Sequence, residues 1–453
     1  MAKETPFPFP ASMVEDILNW TRQRILGGPD PKNGAQSFEA LEPALGGSIT
    51  QNGIGAEATF KLFTDTIVPS TRPFDHPTSL SFVASAPSPA ASSLDAALGA
   101  AGIFAGNWDG GAGAIHAENQ ALAWLCDLAG WPETAGGVFV AGGTLGNLSS
   151  LHAARNWRAR QLGRRPERWA LVCSTEAHSS IKAVAEVMDV DLIRVAVDPN
   201  GRMSAAAARE VIDDPDRIFA IVANAGATNC GAVDDIAGLA DLAEELGLWL
   251  HLDGAYGLAA LADPASRPEF SGIERAHSFI VDPHKWLFAP YDSCAVVYRD
   301  AGEAAQAHGQ KAVYLDTVDK THWNPSDYAL HLTRRARGLP LWFSLATHGS
   351  AAYGRAIAQT RDIARVIADG IDAMDGLELL LGPQLTVILF TAPGLSDEQM
   401  ERWAEGNRRS GDLLCLPTSW RGEKVFRLCV VNPLTDPDQV LSVLSTLVPK
   451  AGA

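Results

Sequence analysis

Short apolar runs alternate with amphipathic stretches through the middle of this chain. Residues 137–141, 169–174, 218–223, 248–252, 278–281 and 295–298 are brief, mostly apolar runs bounded by turn formers, as strands buried on both faces are. Between them, 147–161, 181–188 and 236–246 carry apolar residues at helical spacing. The alternation predicts an α/β architecture over 86–345, with a largely parallel sheet covered on both faces. Ahead of it, 1–85 mixes Gly/Pro turns with an amphipathic helix over 13–26. The apolar residues of that helix (Met13, Ile17, Leu18, Trp20 and Ile25) need another surface, as in an arm that embraces a second subunit. After it, 346–453 predicts a smaller α+β domain: a helix over 351–374, strand-like runs at 385–390 and 425–431, then a terminal helix. No internal repeat is present, and 84–101 is rich in Ala and Ser.

Composition narrows the function classes. A chain of 453 residues can bury a large shared core. Its net charge of −17 repels phosphate backbones, which argues against nucleic acid but not against a small anion held by local groups. The six cysteines are scattered, with no CxxC pair and no His/Cys cluster, so neither a disulfide framework nor a metal site is expected. Buried thiols in a reducing compartment, the cytoplasm, are the expectation. The first residues lack an apolar signal core, and no apolar run approaches the length of a membrane span.

Four stretches carry candidate chemistry. In Ser278-Phe279-Ile280-Val281-Asp282-Pro283-His284-Lys285-Trp286, a strand delivers Asp282 and a turn presents His284 and Lys285. A lysine desolvated at such a strand end can become a Schiff-base nucleophile; a surface lysine is the plain alternative. In His251-Leu252-Asp253-Gly254-Ala255-Tyr256-Gly257, Asp253 ends an apolar strand and small residues follow. A buried carboxylate there could keep a pyridine nitrogen protonated, or it could simply cap a helix. Gly142-Gly143-Thr144 lies between a strand and a helix, where backbone N–H groups and a hydroxyl can cradle an anion. The turn lacks both the GxGxxG spacing and the GK[ST] ending of nucleotide loops. His178, at another strand-to-helix junction, could stack on a flat ring or be structural.

The set is more specific than any member: anion cradle, stacking histidine, buried aspartate and lysine, each at a strand's C-terminal end, are what pyridoxal 5'-phosphate (PLP) requires. From His76-Pro77 to the last helix the chain resembles the group II PLP-dependent amino-acid decarboxylases, which include aromatic-amino-acid and glutamate decarboxylases. Asp282-Pro283-His284-Lys285 matches their Asn-Pro-His-Lys motif with Asp in place of Asn. The 251–257 stretch matches their His-Val-Asp-Ala-Ala motif, and 223–234 resembles a third. The resemblance implies a type I (aspartate aminotransferase-like) fold with a mostly parallel seven-stranded sheet, a small C-terminal domain, an N-terminal helical arm and a homodimer with shared sites.

It also implies roles. Lys285 would form the Schiff base, Asp253 pair with the ring nitrogen, Ala255 lie against the ring and His178 stack on its other face. Gly143, Thr144 and Ser278, with His284 nearby, would hold the phosphate, and Thr228 would sit by the 3-hydroxyl. Arg427 would bind the substrate α-carboxylate. Tyr314 would return a proton to Cα, a position where related aldehyde synthases carry phenylalanine. Phe74 and Phe82 fall near substrate-facing aromatics of the family and favour an aromatic amino acid. Another PLP reaction (aldehyde synthesis, lyase cleavage or transamination) and a PLP-fold binding protein without turnover remain the alternatives.

Overall fold

The strands form where branched and aromatic residues run without polar interruption, and the order in which they pair sets where the chemistry lies. The structure is a computed structural model and describes residues 6–309 and 322–448. Among these, seven strands make one sheet: β1 (Gly136–Val140), β2 (Ala170–Ser174), β3 (Asp191–Val195), β4 (Ile218–Asn224), β5 (Trp249–Asp253), β6 (Ser278–Val281) and β7 (Cys294–Tyr298). Their order is β1-β7-β6-β5-β4-β2-β3. All neighbours pair in parallel except β7, which runs antiparallel to both β1 and β6. The expected mostly parallel seven-stranded sheet is therefore present, with one reversed strand.

Period-two alternation sends each strand's side chains to two separate cores. Leu250, Leu252, Phe279 and Val281 enter one apolar cluster, while Trp249, Ile280 and Val296 enter the other. The helix Gly143–Leu162 covers the second face and begins four residues earlier than the apolar spacing suggests. That places Gly143 and Thr144 in its first turn, where backbone N–H groups have no intrahelical acceptor. The helices Ser179–Met188 and Ile236–Leu246 lie where periodicity puts them. Among the elements that escape the pattern are the edge strand β3, the helix Pro89–Ala101 and the helix Trp108–Leu128, whose first turns contain Gly110, Gly111 and Gly113.

A second, antiparallel sheet contains β8 (Glu378–Leu381), β9 (Val387–Thr391), β10 (Pro417–Trp420) and β11 (Glu423–Cys429), in the order β10-β11-β9-β8. The helix Ser350–Asp372 packs on it, and Ile367, Ile371, Phe390, Phe426 and Leu444 share its core. At the other end of the chain, the helix Ala11–Gly27 buries Met13 and leaves Val14, Leu18 and Leu26 exposed. All six cysteines are buried free thiols. Among the described residues there is no cluster of metal-binding side chains, and no helix is long and apolar enough to cross a membrane.

Candidate active site

The parallel strands end together, and their last residues carry the polar groups of one cavity of about 480 Å³. Asp253 closes β5, Asn224 closes β4, the turn after β1 supplies Gly142–Thr144, and the turn after β6 supplies Asp282 and Lys285. Backbone bonds lock these turns to one another: Ala225 N–H donates to the Asp253 carbonyl and Asp282 N–H to the Ala255 carbonyl, both at 2.9 Å.

Lys285 lies on a single turn of helix and places Nζ 3.0 Å from Asp282 Oδ2. Burial pushes its ammonium down, but the Asp282 charge and hydrogen bond, with Asp253 behind, outweigh it, and the net direction is upward. Beside the expected desolvation, a neighbouring carboxylate thus favours its ammonium form. The other Asp282 oxygen, Oδ1, is buried without a partner. His284 Nε2 lies 3.7 Å from Asp282, and its Nδ1 is engaged by the backbone of Ser293.

Asp253 is 7% exposed and accepts from Asn147 Nδ2 at 3.0 Å. His178 caps the helix Ser179–Met188, its Nδ1 accepting from the Ser180 N–H. Ala255, Thr228, Gly143, Thr144, His178, Asp253, His284 and Lys285 all line the cavity. A Cβ on Gly143 would come within 3.3 Å of Asp282 Oδ2 and Ile280, a tight contact that their side chains would have to yield to. Gly254 is different: a Cβ there would strike Leu258 at 2.1 Å, so its smallness serves packing and not the space beneath a ring.

A second cavity, of about 370 Å³, adjoins the first through His178 and Thr228. Arg427 reaches it from β11. Its Nη1 donates to the Phe82 carbonyl at 2.6 Å and its Nε to the Asn229 carbonyl at 3.2 Å, while Nη2 is buried without a partner. Phe82, Leu416 and Pro417 form apolar wall, and Glu176, half-buried, is pushed up by desolvation.

Two expected residues are elsewhere. Ser278 is fully buried at the start of β6, the end of that strand away from Lys285, and bonds Trp249 and His251. Phosphate contact is not open to it. Phe74 lines neither cavity; its ring packs edge-on against Phe82 at 5.8 Å. Tyr314 lies outside the described residues. Conversely, Asn147, Ser180, Asn224, Asp282 and Tyr291 line the first cavity without having been singled out as site residues. For Asn147 the available signal was its place one turn into the helix behind the glycine cradle.

The residues present fit PLP. A first-turn cradle for an anion, a buried carboxylate, a lysine and an imidazole converge on one cavity. The model of the pyridoxal-dependent decarboxylase conserved domain matches residues 49–392. An aromatic-L-amino-acid decarboxylase of Bacillus atrophaeus is 29% identical over 428 residues, covering 90% of this chain and 88% of that protein. An L-2,4-diaminobutyrate decarboxylase of Rhizobium meliloti is 30% identical over 75% of this chain and 71% of its own length. Among solved structures, Oryza sativa TDC with PLP and tryptamine superposes with a TM-score of 0.89 over 98% of both chains at 22% identity.

Proposed function

The chain belongs to the pyridoxal-dependent decarboxylase family and is a PLP-dependent amino-acid carboxy-lyase, and from that premise we propose that it decarboxylates an aromatic L-amino acid to its amine. The observation that carries the aromatic reading is the second cavity, where Phe82, Leu416 and Pro417 offer apolar wall next to the Lys285 cavity. The Bacillus atrophaeus relative, which spans most of both chains, supports the same substrate class.

When bound, PLP supplies an electron sink for the pair left at Cα as CO2 departs. In this reading Lys285 Nζ would hold the cofactor. Asp253 would pair with the ring nitrogen, Ala255 and His178 would lie against the ring, and Thr228 would sit by the 3-hydroxyl. The first-turn N–H groups of Gly143 and Thr144, with His284 nearby, would hold the phosphate. Arg427 Nη2, with no protein acceptor, donates to the substrate α-carboxylate and fixes which bond to Cα is set for cleavage.

Glu176 favours a second reading. A carboxylate in the substrate cavity would pair with a side-chain ammonium, as a diamino acid carries, and the Rhizobium meliloti relative is named for such a substrate. CO2 release from purified enzyme with L-tryptophan, L-phenylalanine, L-2,4-diaminobutyrate and L-cysteine sulfinate separates the readings. The aromatic acids are expected to turn over fastest. Turnover of diaminobutyrate alone, lost in Glu176→Gln, would replace the aromatic reading. We further propose a homodimer, to which the exposed apolar residues of the helix Ala11–Gly27 would contribute contact surface; light scattering is expected to return twice the chain mass.

A further inference from the structure

Behind the first cavity runs a line of buried polar side chains whose hydrogen bonds can all share one direction. Trp249, His251 and Asp253 alternate along β5 and so share the face under the helix Gly143–Leu162. Ser278 is the register partner of His251 on β6. Trp249 Nε1 lies 2.8 Å from Ser278 Oγ, Ser278 Oγ 2.8 Å from His251 Nδ1, His251 Nε2 2.9 Å from Asn147 Oδ1, and Asn147 Nδ2 3.0 Å from Asp253 Oδ2.

The carboxylate end fixes the direction, and the indole end is compatible with it. An indole N–H can only donate, so Ser278 Oγ accepts from Trp249 and has its own proton to place. A carboxylate accepts, so Asn147 turns its NH2 to Asp253 and its carbonyl to His251; Nε2 of His251 must then carry hydrogen. Complete burial pushes His251 down to about 4, so the ring is neutral and its Nδ1 is bare, ready for the Ser278 proton. The opposite polarity would have His251 Nδ1–H donating to the Ser278 carbonyl, a contact also within reach. It would leave Nε2 bare, reverse the Asn147 amide and set that amide's oxygen against Asp253. A branch leaves Asn147: its second N–H meets Ser180 Oγ at 3.0 Å, and Ser180 Oγ meets His178 Nδ1 at 2.9 Å. Because the Ser180 backbone N–H also donates to that Nδ1, the His178 proton resides on Nε2.

We propose that Trp249, Ser278, His251 and Asn147 form a one-way positioning relay that presents donors to Asp253 Oδ2 and, through Ser180, to His178 Nδ1. It thereby sets the two side chains assigned to the cofactor ring from one remote indole. The inference rests on the roles of Asp253 and His178 given under the proposed function. It gives Ser278, which cannot reach a phosphate, a role two hydrogen bonds removed from the cavity. All four are positioning residues, since none of them is assigned a reacting atom.

Neutron diffraction from the unmutated holoenzyme tests the polarity. Hydrogen on His251 Nε2 and on Ser278 Oγ aimed at His251 Nδ1 is expected; hydrogen on His251 Nδ1 overturns the relay. In solution, Ser278→Ala is expected to weaken PLP binding about tenfold, the effect of one lost charge-linked buried bond. It should also move the pH profile of the bound cofactor's visible absorption, and Ser278→Thr should restore both. Trp249→Phe, which removes the indole donor and keeps one aromatic ring, serves if Ser278→Ala does not fold. Asp253→Asn separates the layers. If it weakens PLP while Ser278→Ala and Trp249→Phe leave affinity and spectrum as in the parent, the relay is wrong and the site assignment stands. If Asp253→Asn changes neither, the site assignment itself has failed, and the relay's purpose with it.

Discussion

The two cavities share His178 and Thr228 but are built in opposite ways. The first is walled by the ends of neighbouring parallel strands, and Asp253, His178 and Lys285 each meet a protein partner. The second is closed by segments far apart in the chain: Phe82 before the large sheet, Glu176 after β2, and Pro417 and Arg427 from the second sheet. There Arg427 keeps an unsatisfied Nη2, Glu176 is destabilised by burial, and Phe82 sits at φ +59°, a strained value for a side chain with a Cβ. Chemistry common to a family needs the first kind of construction, and discrimination among substrates is served by the second.

The sharpest test of that contrast is Lys285→Ala, expected to cut CO2 release by at least about 10³-fold while circular dichroism stays that of the parent. Asp253→Asn should cost about 10²-fold and weaken cofactor binding, as measured by PLP titration. Arg427→Gln should spare PLP affinity yet raise KM by roughly 10- to 100-fold, because Arg427 lines the second cavity and not the first. Equal loss of PLP affinity in Arg427→Gln would erase the distinction between the cavities.

Acid should weaken the framework under the first cavity. Burial holds His251 and His277 down to about 4, against an ordinary 6.5. As pH falls from 6.5 toward 4 the unfolded chain takes up protons that the folded chain refuses, so stability is lost across that window and levels off below it. Each ring contributes up to about 3 kcal/mol, measurable by urea unfolding at stepped pH. The smallest effect is expected from Phe82→Gly. Relief of the positive φ offsets the lost ring, leaving stability within about 1 kcal/mol of the parent, while KM for an aromatic substrate rises a few-fold.

What the sequence made legible follows the same division. Lys285, Asp253, His178 and the Gly143-Thr144 turn each stand at a strand end, and strand ends are marked by where apolar runs stop. Ser278 was misplaced because closeness to Lys285 in sequence is not closeness in space. A four-residue strand separates its ends by roughly 10 Å. Phe74 went the same way: a turn puts it behind Phe82 instead of beside it. Asn147 and His251 were harder, since a lone polar residue inside an element shows its purpose only when its partners on other elements are known. For His251 the signal available in advance was its place in the period-two line of Trp249, His251 and Asp253. The helix Trp108–Leu128 stayed hidden because glycines, poor helix formers, crowd its first turns.

The reversed strand β7 has a consequence for how the chain is made. Among the described residues β1 lies at the sheet edge and pairs only with β7, Val140 meeting Cys294. On a ribosome, β1 and the glycine turn behind it emerge on the order of 150 residues before the strand that anchors them, an interval of roughly 10 to 30 s at ordinary synthesis rates. Until residue 298 is out, the sheet has a gap between β6 and β1, and the anion cradle has no fixed position relative to Lys285. Cofactor capture is therefore a late event in the birth of this protein, and the growing chain must keep an apolar edge sheltered until then.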